Sequence, residues 1–198
     1  ATDAPLSINE SQQAKGAVHI PETIGSVVAA YNIPSIPDKG LKLTGEVLAD
    51  IFLWKITKWN DPKIQALNKD KTLPADDIVV VHRSDGSGTT FVFTDYLSSV
   101  SPAWKDQLGK GKSVQWPVGI GAPGNEGVAN AIKGSPNTIG YVELGYALTT
   151  NTPFAIVQNK EGKFVEPSLN STKAAVEANV ASLPKGDGDW SNVTLVNA

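Results

Sequence analysis

The segment Arg83-Ser84-Asp85-Gly86-Ser87-Gly88-Thr89-Thr90 brings together the groups that a tetrahedral oxyanion needs. Arg83 offers a planar fork of N–H donors that matches two oxygens of such an anion. Ser87 and Thr89 add hydroxyl donors. Gly86 and Gly88 lack a Cβ, so the backbone can turn sharply and approach a ligand closely. Asp85 is near enough along the chain to orient the guanidinium. If a helix begins here, its first N–H groups have no partner within the helix, and the aligned peptide dipoles add partial positive charge at the same end. The same stretch also has the ordinary grammar of a capped helix start, with Ser or Thr as N-cap after a Gly-Ser-Gly turn. From these residues alone, an anion site and a plain cap both remain open.

Other chemistries fail on spacing. No Lys follows the glycines, so this is not a nucleotide P-loop, and G-x-G-x-x-G is absent too. Ser87 lies in Gly-Ser-Gly rather than G-x-S-x-G, which rules out a nucleophile elbow. His82, Asp85 and Ser87 supply the residue types of a catalytic triad, but one short loop cannot place them in relay geometry. His19 and His82 have no second metal ligand at helical spacing and read as strand-end histidines. Asp187-Gly188-Asp189 resembles the start of a calcium loop, yet the place where that loop needs its Glu falls on Ala198, so a solvated turn is expected. Trp54, Trp59, Trp104, Trp116 and Trp190 are scattered and read as core or rim packing, and Glu126 and Glu143 as surface or capping carboxylates.

These residues must be held by an α/β framework. Ile78-Val79-Val80-Val81-His82 is the clearest strand, and Gly25–Ile33 is so continuously apolar that it suits a strand buried on both faces. Ala17–Pro21, Thr138–Val142 and Ala155–Val157 are also expected strands. The i,i+4 pairs Val92/Tyr96 and Phe93/Leu97 make the segment after the loop a helix. Val47–Trp54, Pro62–Asn68 with Asp61 as N-cap, the run after Gly124-Asn125-Glu126-Gly127, and Lys173–Ala181 are expected helices. Strand, glycine-bearing turn and helix together form the unit of an α/β fold. We therefore expect residues 1–198 to form a single domain with a mixed β-sheet flanked by helices.

The bulk numbers are consistent with this. With 198 residues, 40% hydrophobic and 19% charged, the chain can build a core. Its net charge of -3 provides no basic surplus for nucleic acid or an anionic membrane. Cysteine is absent, which excludes disulfides, thiolate metal sites and a cysteine nucleophile. Neither a metal nor a cofactor is expected. No apolar run of about 18 residues and no leader segment occurs, and the lack of Met, position 1 included, suggests a processed or cut chain. Asn9-Glu10-Ser11, Asn170-Ser171-Thr172 and Asn192-Val193-Thr194 match the N-glycan acceptor triplet, which arises often by chance.

Val81–Phe91 resembles the phosphate-contacting loop of the substrate-binding proteins of phosphate ABC transporters. Thr2-Asp3-Ala4-Pro5-Leu6-Ser7, Trp116-Pro117-Val118-Gly119, Gly124–Ala129 and Ile139-Gly140-Tyr141-Val142-Glu143 resemble stretches of the same family, in the same order. The resemblance implies a two-lobed type II periplasmic-binding-protein fold that closes around dehydrated inorganic phosphate. It implies phosphate contacts from Arg83, Ser87, Gly88 and Thr89, with Asp85 and Gly86 in support, and from Asp3 as the carboxylate that accepts the phosphate's own proton. It also implies a membrane permease as partner, no enzymatic activity, and a periplasmic or extracellular, cell-surface-associated location. The family has further chain before Asp3 and after the present end. This chain is thus expected to be the second lobe, with residues 1–7 at the edge of a missing first lobe that a partner chain would have to supply. Asp3, beside the chain start, is expected to be loosely held. The rival reading is a structural or assembly subunit derived from a binding protein, with a vestigial anion site.

Overall fold

Four strands make the sheet that carries the loop, and their side chains alternate between two separate cores. The computed structural model describes residues 3–191 and 193–196; Thr2, Asn192 of the third glycan triplet and Ala198 lie outside the described residues. The strands are β1 (Val27–Asn32), β2 (Lys42–Leu43), β3 (Val79–Arg83), β4 (Ile120–Ala122), β5 (Thr138–Glu143), β6 (Ile156–Gln158) and β7 (Phe164–Val165). The main sheet has the order β1-β5-β3-β4, and β2-β6-β7 form a small second sheet. β3 runs parallel to both β4 and β5, whereas β1 is antiparallel to β5, so the sheet is mixed.

Because successive strand side chains point to opposite faces, each central strand feeds both layers. Ala29, Tyr31, Val80, Ile139 and Tyr141 enter one core; Val28, Ala30, Val81 and Val142 enter the other. The first core is closed by α2 (Gly45–Phe52), α3 (Pro62–Leu67), α4 (Gly88–Val100) and α5 (Pro102–Gln107), through Leu48, Ile51, Phe52, Ile64, Phe93, Leu97 and Trp104. The second is closed by α6 (Gly124–Gly134) and α7 (Leu144–Thr149), through Val128, Ala129, Ile132, Leu144 and Ala147. A mixed sheet between helical layers is the expected fold class. Two short helices, α1 (Ile8–Gln13) and α8 (Leu169–Glu177), and a 3₁₀ turn at Val180–Ser182 lie outside both cores. No helix among the described residues is long and apolar enough to cross a membrane.

The structure corrects several sequence expectations. Ala17–Pro21 is not a strand: among the described residues no strand pairs with it, its His19 N–H bonds the Gly186 carbonyl in a loop, and Val18 and Ile20 are 54% and 71% exposed. The helix at residues 45–52 stops before Trp54, which takes φ 59° and is exposed. The last helix starts at Leu169 rather than Lys173, because Ser168 caps it reciprocally with Ser171. His19 is not at a strand end. It accepts the Leu6 N–H and stacks on Trp190.

Candidate functional site

The parallel strands β3, β4 and β5 all end at one edge of the sheet, and each is followed by a helix, α4, α6 or α7. Helix N-termini therefore gather where the strands finish, the place at which open α/β sheets hold ligands. Register sets the spacing, since Arg83 at the end of β3 pairs with Ala122 at the end of β4.

At α4 the predicted cap is present. Ser87 is extended, and its hydroxyl accepts the Thr90 N–H at 3.2 Å. Its own N–H is taken by the Lys112 carbonyl. The next two amides, Gly88 and Thr89, have no hydrogen-bond partner among the described residues. The cap and the anion site are thus compatible. Ser87 uses up one amide of the first turn and leaves two open, with the helix dipole behind them.

Asp3 sits directly against this helix start. The Thr89 hydroxyl donates to Asp3 Oδ2 at 3.3 Å. A Cβ at Gly88 would fall 2.7 Å from Asp3 N and 2.8 Å from Asp3 Cβ, closer than atoms pack. Gly88 is therefore required by the approach of Asp3. Gly86 is different: it is exposed, its φ is not positive, and an added Cβ would meet open space, so no atom of the chain demands glycine there.

Contrary to the expectation of a loose start, the segment around Asp3 is fastened. Ala4 is buried, Leu6 N–H bonds His19, and Ser7 and Glu10 form a reciprocal capping box on α1. Glu10 also pairs with Lys112 Nζ at 2.9 Å, next to the carbonyl that holds Ser87. The backbone bond from Ser7, then the Lys112 bond, holds the Glu10 carboxyl down at about 2. Because the folded value is depressed, this contribution is complete above the ordinary value of 4.5 and disappears as pH falls toward about 2. Acid should thus loosen α1 and the segment that leads back to Asp3. The protection factors of residues 7–14 against hydrogen exchange should fall in wild type between these pH values, and Glu10→Ala, which removes both the cap acceptor and the Lys112 partner, should show low protection at neutral pH already.

Arg83 forms a two-pronged pair with Asp85, Nε to Oδ1 at 2.8 Å and Nη2 to Oδ2 at 2.6 Å. The Arg83 side chain is only 10% exposed. Asp85 Oδ1 also accepts the Gly124 N–H at 3.1 Å, which ties the loop to the start of α6. The Arg83 bond, more than any other cause, holds the Asp85 carboxyl far below the usual carboxylate range, and the same bond raises Arg83. A guanidinium has five N–H donors, and Asp85 takes two of them. The other three have no protein partner among the described residues.

Two further residues, with no local signature in the sequence, complete the frame. Tyr141 is fully buried; its hydroxyl accepts the Arg83 N–H at 3.1 Å and pairs with the Thr90 hydroxyl at 2.7 Å. Asn125, in the first turn of α6, donates to Thr89 Oγ1 at 3.3 Å and accepts the Glu143 N–H at 3.4 Å. His82 instead stacks on Trp116 and has its Nδ1 3.0 Å from the Arg83 carbonyl; neither contact leads to Ser87. Among the described residues no cluster of His, Asp and Glu is suited to a metal.

The start of α4 thus brings one carboxylate, Asp3, to the Thr89 hydroxyl, beside two amides without a partner among the described residues and just after the Arg83–Asp85 pair. Known proteins resemble the chain in sequence and in fold. Phosphate-binding protein PstS of Pasteurella multocida is 51% identical over 175 residues, 88% of this chain and 51% of the relative. Phosphate-binding protein PstS of Methanocaldococcus jannaschii is 48% identical over 174 residues, 84% of this chain and 45% of the relative. The chain spans about half the length of the curated relatives it matches. Among solved structures, a phosphate-binding protein from Stenotrophomonas maltophilia aligns with TM-score 0.64 at 23% identity, covering 98% of this chain and 56% of the other. A high-affinity periplasmic phosphate-binding protein, PfluDING, bound with phosphate, aligns with TM-score 0.63 at 21% identity, covering 92% and 52%. These likenesses give the fold as the type II periplasmic-binding-protein kind. The sequence profile of the PBP superfamily domain matches residues 1–198, and the chain belongs to that superfamily.

Proposed function

We propose that this chain binds inorganic phosphate, as all or part of the extracytoplasmic receptor of a phosphate ABC transporter. One observation carries the reading: the start of α4, against which Asp3 packs, offers the Gly88 and Thr89 amides, which have no partner among the described residues, and the Thr89 hydroxyl, and the loop before it offers the Arg83 donors that Asp85 does not take. The donors neutralise a tetrahedral oxyanion, and a carboxylate can only accept, so it favours an anion that still carries a proton. Phosphate near neutral pH does; sulfate does not. In this reading Arg83, Ser87, Gly88, Thr89 and Asp3 contact phosphate, Asp85 and Gly86 support them, and the permease is the membrane partner. The chain acts as a binding module, not an enzyme.

The phosphate-binding names of the relatives support this reading, and their greater length supports a second lobe, carried on the same polypeptide or on a partner chain. With one lobe alone the ligand stays partly wet and its hydrogen bonds are weakened. Binding by the isolated chain is therefore weak but selective. In an amide NMR titration, the Gly88 and Thr89 resonances should shift saturably with phosphate and far less with equal sulfate. An equal response to both anions, or none to phosphate together with a stable oligomer in light scattering, would sink the receptor reading and favour the assembly role.

A further inference from the structure

We propose that Asn125 is a positioning residue: it fixes the Thr89 hydroxyl as a proton donor toward the anion. This rests on the phosphate reading. Asn125 reaches the site from a different element, the first turn of α6, and touches two groups. The Glu143 N–H can only donate, so the Asn125 atom it meets at 3.4 Å must be the carbonyl oxygen. That contact settles which way the amide points. The NH₂ group then faces Thr89 Oγ1 at 3.3 Å, and it can only donate.

The consequence passes to Thr89, which is buried. A hydroxyl has one proton and two lone pairs. With one lone pair occupied by Asn125, the Thr89 proton is directed to the remaining acceptor, Asp3 Oδ2 at 3.3 Å. An anion oxygen entering beside the Gly88 and Thr89 amides would receive the same proton. Without Asn125 the hydroxyl could rotate, or could accept from a protonated anion, so donor and acceptor roles would no longer be assigned in advance. Preorganised donors lose less entropy on binding than free rotors. The chain thus uses β5, through Glu143, to set a hydroxyl on α4 by way of a side chain on α6.

A double-mutant cycle tests this. Asn125→Leu keeps the approximate volume and removes both hydrogen bonds. It should weaken phosphate about three- to tenfold, the size of one net hydrogen bond. In a Thr89→Val background the same Asn125→Leu change should cost almost nothing, because the hydroxyl it sets is gone. Equal losses in both backgrounds would show a merely structural role and overturn the proposal. A second readout needs no ligand: the Thr89 hydroxyl proton, held in a bond to Asp3, should exchange slowly with solvent in wild type and faster in Asn125→Leu. Unchanged hydroxyl exchange would also overturn the proposal, even if phosphate binds. If hydroxyl exchange speeds up as expected while wild type ignores phosphate, the positioning contact stands and the phosphate reading fails.

Discussion

Replacing Arg83 by alanine should abolish saturable phosphate binding while leaving the fold intact. The fold survives because the backbone anchor of Arg83 is its N–H bond to the Tyr141 hydroxyl, which alanine retains. The binding loss has two parts. Three guanidinium donors disappear from the anion's surroundings, and hydrogen bonds to charged groups contribute roughly 1.5–3 kcal/mol each. The Asp85 carboxylate remains, held at Gly124, but without its counter-ion. It then opposes any second anion at the site. Two such bonds together with the added repulsion correspond to at least about a thousandfold loss. Arg83→Lys should recover little. An ammonium cannot bridge two Asp85 oxygens in the plane of the observed fork and still face the anion. The measurement is the same amide titration, with thermal unfolding as control. An Arg83→Ala protein that binds phosphate within tenfold of wild type would remove the guanidinium from the site.

Residues 83–89 were legible in the sequence because their grammar is local. A strand, a capped turn and a helix follow one another in the chain, so the Ser87 cap and the Arg83–Asp85 pair needed no knowledge of the rest of the fold. The buried strands β1, β3 and β5 were equally legible, since continuous apolar runs permit little else. What failed was pattern without a partner. Ala17–Pro21 has a strand-like composition, but no neighbouring strand pairs with it. β2, β4 and β7 are two or three residues long, too short to show a period. The positions of Tyr141 and Asn125 were hidden for another reason. Each meets its partner only when parallel pairing of β3 with β4 and β5 aligns the strand ends, which is a property of register. Tyr141 and Asn125 stand inside stretches that resemble the transporter family, yet nothing in those stretches alone assigns them a partner. Asp3 came from that resemblance too. Its contact with Gly88 spans almost half the chain, and no local pattern predicts it.

That contact yields the second large effect. Gly88→Ala should improve the helix former at the start of α4 while damaging the site. Alanine exceeds glycine in helix propensity by about 1 kcal/mol, and Gly88 does not take a positive φ, so its backbone accepts a side chain. The new methyl, however, would sit 2.7 Å from Asp3 N and 3.0 Å from Asp3 Cα. These are backbone atoms, which cannot swing aside as the end of a flexible side chain can, so the Asp3 segment must move. The carboxylate then leaves Thr89, and the site loses its acceptor while keeping its donors. Affinity for phosphate falls, but the sharper change is in selectivity, because sulfate no longer meets a repelling carboxylate. The preference for phosphate over sulfate should drop by about tenfold or more, in line with removal of one charged hydrogen-bonding group. Asp3→Asn, which removes the charge without a clash, should converge on the same loss. Competition titrations of both variants with the two anions check this. Full discrimination in Gly88→Ala would mean that Asp3 takes no part in recognising the proton, and selectivity would then have to arise from the donors alone.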